Sequence, residues 1–206
     1  MSDASIVAAR PPGAAEELVL LFHGVGASAA NLLPLAEWIA QGRPGAFVVS
    51  VDAPHASGLG SGREWFSVLG VTEDNRTQRV AEAMPLFRDT VAHWQAQSGL
   101  APDRTTLVGF SQGSIMSLES TQDGDGLAAR VIAIAGRFAQ PVRRAPAGLR
   151  FHFIHGSDDP VIPARFSVEG AGAIGRLGGS ATVELLPGLG HGIDARVAQL
   201  VAGYFP

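Results

Sequence analysis

Short apolar runs recur along the chain and alternate with longer stretches in which apolar residues return every three or four positions. Leu18–Phe22, Ala46–Val51, Thr105–Gly109, Arg130–Ala135 and Phe151–Ile154 are near-continuous runs, the pattern of strands buried on both faces. Ser5–Ala9 predicts a leading edge strand, cut off by Arg10-Pro11-Pro12-Gly13, and Thr182–Leu186 predicts the last strand. Between them the helical period predicts helices. Ser28–Gln41 carries Leu32, Leu35 and Ile39 and stops at Gly42, while Asp74–Ser98 has Val80, Met84, Phe87, Val91 and Trp94 on one stripe and Gly99 at its end. Pro85 falls inside that second helix, where it is expected to kink it. A further helix starts after Ser111 and is expected to close at Gly124 and Gly126; the last two cover Pro163–Leu177 and Asp194–Phe205.

Strands alternating with helices predict an α/β fold, a mainly parallel sheet covered on both faces. The length of 206 residues suits one domain spanning 1–206. Such sheets bind ligands beyond the carboxyl ends of their strands. The residues that follow the predicted strands are His23-Gly24, Asp52, Ser111, Gly136, Asp158-Asp159 and Gly190-His191. Chemically capable side chains thus gather at one sheet edge, next to an irregular segment, Asp52–Glu73, that is rich in glycine and proline.

Composition narrows the classes. Hydrophobic residues make up 46% and charged residues 17%, with a net charge of −4 and no basic run, so no nucleic-acid partner is expected. The chain has no cysteine, which excludes a thiol nucleophile and cysteine metal sites; neither metal nor cofactor is expected. No apolar run reaches membrane-spanning length, and Met1–Ser5 lacks a basic region leading into an apolar stretch, so a cytoplasmic protein without integral membrane association is expected. A homodimer stays open.

The chemistry centres on Gly109-Phe110-Ser111-Gln112-Gly113, a G-x-S-x-G run between a strand and a helix. There a serine on a sharp turn stands above the sheet, with small neighbours and a helix N-terminus favouring negative charge beside it. A serine hydroxyl needs a base, commonly an imidazole held by a carboxylate. His191, in the glycine-flanked Leu189–Ile193 turn, is the candidate base, and Asp159 or Asp158 would orient it. The order Ser, Asp, His along the chain is that of α/β-hydrolases. The amide of Gln112 and one from the His23-Gly24-Val25-Gly26 loop, assigned to Val25, are expected to form the oxyanion hole. His23 is expected to buttress that loop, His155 to hydrogen-bond within the acid loop, and His55, His93 and His152 to stand apart from the chemistry. Trp65 and Phe66, in the long segment, read either as an apolar wall for an acyl chain or as core.

Together, His23–Gly26, Arg63-Glu64-Trp65-Phe66, the Ser111 motif, His155-Gly156-Ser157-Asp158-Asp159-Pro160-Val161-Ile162-Pro163 and Gly190–Ile193 resemble the phospholipase/carboxylesterase family of the α/β-hydrolase fold, which includes acyl-protein thioesterases and small carboxylesterases. The resemblance runs from about Ser5 to the C-terminus. It implies hydrolysis of small-molecule carboxylic esters, and of thioesters, without cofactor and without a large lid domain. It also implies that Asp159, ahead of Pro160-Val161, is the acid. The physical argument agrees, because Pro160 restricts the preceding residue to extended backbone and so holds its carboxylate in one direction. The family's tryptophan-phenylalanine pair is usually followed by aspartate, and here Ser67 follows. Two alternatives use the same residues: an acyltransferase or perhydrolase, and a ligand-binding protein on a hydrolase fold.

Overall fold

The computed structural model describes residues 4–124 and 126–205. Met1–Asp3, on which the reading of the N-terminus partly rests, and Pro206, the end of the 1–206 assignment, lie outside them. A seven-stranded sheet runs through the protein. In chain order its strands are β1 (Ile6–Ala9), β2 (Glu17–Phe22), β3 (Ala46–Val51), β6 (Thr105–Phe110), β7 (Arg130–Ile134), β8 (Arg150–Gly156) and β9 (Ser180–Leu186). Their spatial order is β1-β3-β2-β6-β7-β8-β9, with β1 antiparallel to β3 and every other pair parallel.

The near-continuous apolar runs become central strands because both sheet faces are covered. In β2, Leu18, Leu20 and Phe22 enter one core and Val19 and Leu21 the other. The first core is closed by α2 (Glu73–Ser98), α3 (Gln112–Glu119) and α4 (Arg165–Arg176), through Phe87, Val91, Met116 and Ile174. The second is closed by α1 (Ala29–Gly42) and α5 (Ala195–Gly203), through Leu32, Leu35, Ile39, Val197 and Val201. Within the α2 stripe Val80, Phe87 and Val91 are buried, while Met84 and Trp94 pack partly buried against the same core. Gly99 ends α2 in the left-handed region at φ 72°, where a side chain would be strained.

Three local details emerge in the structure. First, α2 is a single helical element through Pro85. Second, α3 ends at Glu119, well before Gly124. The reason lies in its hydroxyls. The side chains of Ser117, Ser120 and Thr121 donate to the carbonyls of Gly113, Ser117 and Leu118 at 2.8, 2.8 and 2.7 Å. Such back-bonding competes with continuation of the helix. Third, the Asp52–Glu73 segment is not wholly irregular. Two short strands, β4 (His55–Ala56) and β5 (Arg63–Glu64), pair antiparallel within it. Arg63 ties this hairpin to the sheet edge, donating to Asp52 Oδ2 at 2.8 Å and to the Pro54 carbonyl at 2.6 Å. The described residues form no separate lid domain, and no helix among them is long and apolar enough to cross a membrane.

Candidate active site

Ser111 stands between β6 and α3 with φ 52° and ψ −114°, a conformation that L residues rarely adopt. Two close approaches force the turn. A Cβ on Gly109 would lie 2.4 Å from the Ser114 amide nitrogen, and one on Gly113 would lie 2.0 Å from the Phe22 carbonyl oxygen. Neither position can therefore carry a side chain without displacing backbone. The turn is also held from below: the Ser111 amide donates to the Ile134 carbonyl at 3.0 Å, and Ser114 Oγ donates to the same carbonyl at 2.8 Å.

The loops after β8 and β9 bring the remaining groups to Ser111. They are packed together at Gly156, where a Cβ would meet the Leu189 carbonyl oxygen at 2.2 Å, and the Asp158 amide donates to that carbonyl at 3.0 Å. His191 Nδ1 then lies 2.7 Å from Asp159 Oδ2, and His191 Nε2 lies 2.9 Å from Ser111 Oγ. This pairing puts the ring proton on Nδ1, donated to the carboxylate, and leaves Nε2 to accept from the serine hydroxyl. Phe110 packs on the imidazole, with ring centroids 5.1 Å apart, and so limits its rotation.

Asp159 is buried, and both of its oxygens are engaged. Oδ1 accepts the amides of Val161 and Ile162 at 2.8 and 2.9 Å, while Oδ2 faces His191 and also lies 3.2 Å from His155 Nε2. Burial by itself would raise its pKa; the hydrogen bonds from His191 and from the two amides outweigh this and hold the carboxyl below the usual aspartate value. Asp158 is exposed, and its carboxylate accepts a hydrogen bond from Ser157 Oγ at 2.8 Å. His155 donates from Nε2 to the Ile162 carbonyl at 2.7 Å and pairs through Nδ1 with Ser167 Oγ at 2.7 Å, so it braces the acid loop.

His23 holds the opposite loop. Its Nδ1 donates to the Gly24 carbonyl at 2.7 Å and its Nε2 accepts the Ala53 amide at 3.0 Å, an arrangement that requires the neutral ring. Burial favours the same form by lowering its pKa. Val25, in this loop, lines the same cavity as Ser111 and Gln112. The neighbouring amides of Gly26 and Ala27 are spent on the carbonyls of Arg63 and Gly24. The Gln112 amide opens α3, where a first-turn N–H has no acceptor within the helix. His152 stacks on Tyr204 at 3.8 Å and His93 packs on Trp94 at 5.2 Å; neither joins Ser111.

The expectation for Trp65 and Phe66 divides. Phe66 lines the cavity of about 460 Å³ beside Ser111. Trp65 does not: it is 2% exposed and meets Phe87 edge to face at 5.0 Å in the first core, to which the buried Phe66 also belongs. Both lie in the bend that follows β5, and of the two only Phe66 lines this cleft. The Gln112 side chain accepts the Trp65 amide at 2.8 Å and donates to the Phe66 carbonyl at 2.8 Å. Gln112 thus clamps the long segment to the serine turn, a side-chain role that the motif alone does not disclose. Trp65→Ala is expected to lower unfolding free energy by about 3–5 kcal/mol in urea titration. Phe66→Ala is expected to cost less stability and to shift relative rates across 4-nitrophenyl esters from acetate to octanoate. An unaltered chain-length profile for Phe66→Ala would remove Phe66 from the acyl site.

A mostly parallel sheet of this order, with a strained serine after its central strand and a histidine and aspartate on later loops, defines an α/β-hydrolase. Comparison with known proteins narrows the class. The sequence profile of the phospholipase/carboxylesterase family matches residues 2–205, and the chain belongs to that family. Esterase YpfH of Escherichia coli (strain K12) is 46% identical over 189 residues, covering 92% of this chain and 82% of the relative. Among solved structures, esterase PE8 superposes with a TM-score of 0.84 at 28% identity over 93% of this chain and 92% of that one. The carboxylesterase of Bacillus cereus shares the fold with a TM-score of 0.82 at 16% identity, over 97% of this chain and 92% of that one.

Proposed function

We propose that the protein is a serine carboxylesterase acting on small esters with short-to-medium acyl chains. The observation that carries this is the hydrogen-bonded line Asp159–His191–Ser111, at 2.7 and 2.9 Å, opening onto a partly apolar cavity. In this reading Ser111 Oγ attacks the ester carbonyl carbon as its proton passes to His191 Nε2. The Val25 and Gln112 amides donate to the developing oxyanion, where preorganised donors are most effective. His191 then returns the proton to the departing alcohol, or thiol from a thioester, leaving an acyl group on Ser111. Water attacks this acyl-enzyme with His191 again as base, the acid leaves, and the proton returns to Ser111. Asp159 remains a carboxylate throughout, holding the tautomer and stabilising the imidazolium.

The test is covalent. A fluorophosphonate should modify one serine, located by peptide mass spectrometry to Ser111, and should abolish hydrolysis of 4-nitrophenyl butyrate in proportion to labelling. Labelling at another residue, or full labelling with activity retained, would overturn the assignment. A parallel assay with a butyryl thioester reads whether thiol leaving groups are accepted.

A further inference from the structure

The cavity beside Ser111 is lined by two unlike groups of side chains. Phe66, Val68 and Ile115 give it an apolar lining; Arg76, Arg137, Arg165 and Glu73, joined by their own ion pairs and ring contacts, give it a charged one. Three guanidinium groups against one carboxylate leave two positive charges uncompensated on this wall, in a chain whose net charge is −4. Glu73 is already taken twice. It accepts Arg137 in a forked pair at 3.0 and 3.0 Å and also accepts Arg76 Nη1. Hydrogen bonding from Arg76, opposed by burial and helped by Arg137, lowers the pKa of Glu73. Arg165 has no carboxylate partner among the described residues; its guanidinium lies 4.7 Å from the Phe166 ring, which also carries Arg137 at 3.7 Å. The Arg137 and Arg76 side chains are only 13% and 16% exposed, so they are ordered parts of the cleft wall rather than freely solvated surface charges.

Such a wall offers nothing to an ester whose far end is neutral. A carboxylate or phosphate oxygen placed there would accept charge-assisted, forked hydrogen bonds from groups that cannot lose their charge. Positive potential concentrated in a cleft also raises the local concentration of anionic substrates. We propose that the preferred substrates of this site are esters bearing an anionic group, a carboxylate or a phosphate, set apart from the scissile bond by an apolar spacer and held by Arg165 with Arg137 and Arg76. This inference rests on the esterase reading and adds the substrate class to it.

Matched pairs of esters test it. Mono-4-nitrophenyl esters of adipic, suberic and sebacic acid place the carboxylate on the acyl side, and their methyl esters are the neutral counterparts. The 4-carboxyphenyl ester of butyric acid and its methyl ester place the charge on the alcohol side. On one side the charged member should show a kcat/KM about tenfold above its neutral partner at the best spacer length. Arg165→Gln should bring that ratio back toward one, Glu73→Gln should raise it, and 0.5 M sodium chloride should lower it. Neutral members hydrolysed through Ser111 while charged members are slower on both sides, at every length, would overturn this proposal and leave the esterase reading intact. Hydrolysis of neither member would overturn the esterase reading. The anion site is then decided by titrating Ser111→Ala protein with monomethyl and dimethyl adipate: equal affinity, or a preference that Arg165→Gln leaves unchanged, overturns it.

Discussion

Ser111→Ala is expected to fold as the parent does and to lose ester hydrolysis by about a millionfold in turnover. The fold should survive because alanine meets the same backbone demand as serine at φ 52°, and Ala135 already occupies the left-handed region elsewhere in this chain at φ 48°. Among the described residues the side chain removed makes its one hydrogen bond to His191 Nε2, at 2.9 Å. Without the hydroxyl, His191 has nothing to deprotonate except water. The amides of Val25 and Gln112 remain, so a residual acceleration over the uncatalysed reaction should persist, as in serine proteases stripped of their triad. The measurement is turnover of 4-nitrophenyl butyrate beside a thermal melt. A folded variant keeping a tenth of parental turnover would exclude Ser111 as nucleophile.

Asp159→Asn is expected to lower turnover by about 10⁴, by analogy with the same change in a serine protease. Here the geometry says why. Oδ1 accepts two backbone amides, so an asparagine keeps its carbonyl oxygen there and turns its NH₂ toward His191 Nδ1. A donor at Nδ1 forces the ring proton onto Nε2, which then faces the serine hydroxyl as a donor and cannot take its proton. The flipped amide would restore the tautomer only by leaving the Val161 and Ile162 amides opposite an NH₂ group. Asp158→Asn should change turnover by less than about threefold, since surface substitutions away from such networks are usually near neutral. If Asp158→Asn were instead the crippled variant, the acid assignment would fall.

The same substitution has a signature in stability. The folded pKa of Asp159 is lowered, so its carboxylate adds stability above the unfolded value of about 3.9, and this is lost as pH falls through the folded value. Asp159→Asn should therefore melt below the parent at pH 7, and the gap should narrow on acidification toward pH 3. A constant gap across that range would mean that the carboxylate's charge adds nothing to stability.

By itself the sequence determined the order of elements, the parallel sheet and the edge at which the chemistry gathers. Each of these follows from local periodicity, because a strand buried on both faces must be continuously apolar and a covering helix must carry an apolar stripe. Leu18–Phe22 and the Val80, Phe87 and Val91 stripe were legible for that reason. So were Ser111 and its glycines, since a tight strand-to-helix turn leaves its mark in adjacent residues. The choice between Asp158 and Asp159 rested on Pro160 in the sequence; the contact that bears on it spans 32 residues, from the β8 loop to the β9 loop. Tertiary packing alone decided the rest. Trp65 lies wholly in the core and Phe66 reaches the cleft from the same core, in a segment whose backbone the Gln112 side chain holds from 47 and 46 residues away. The arginine wall joins positions 76, 137 and 165 from separate elements, and no periodicity relates residues that meet only when the sheet brings their loops together.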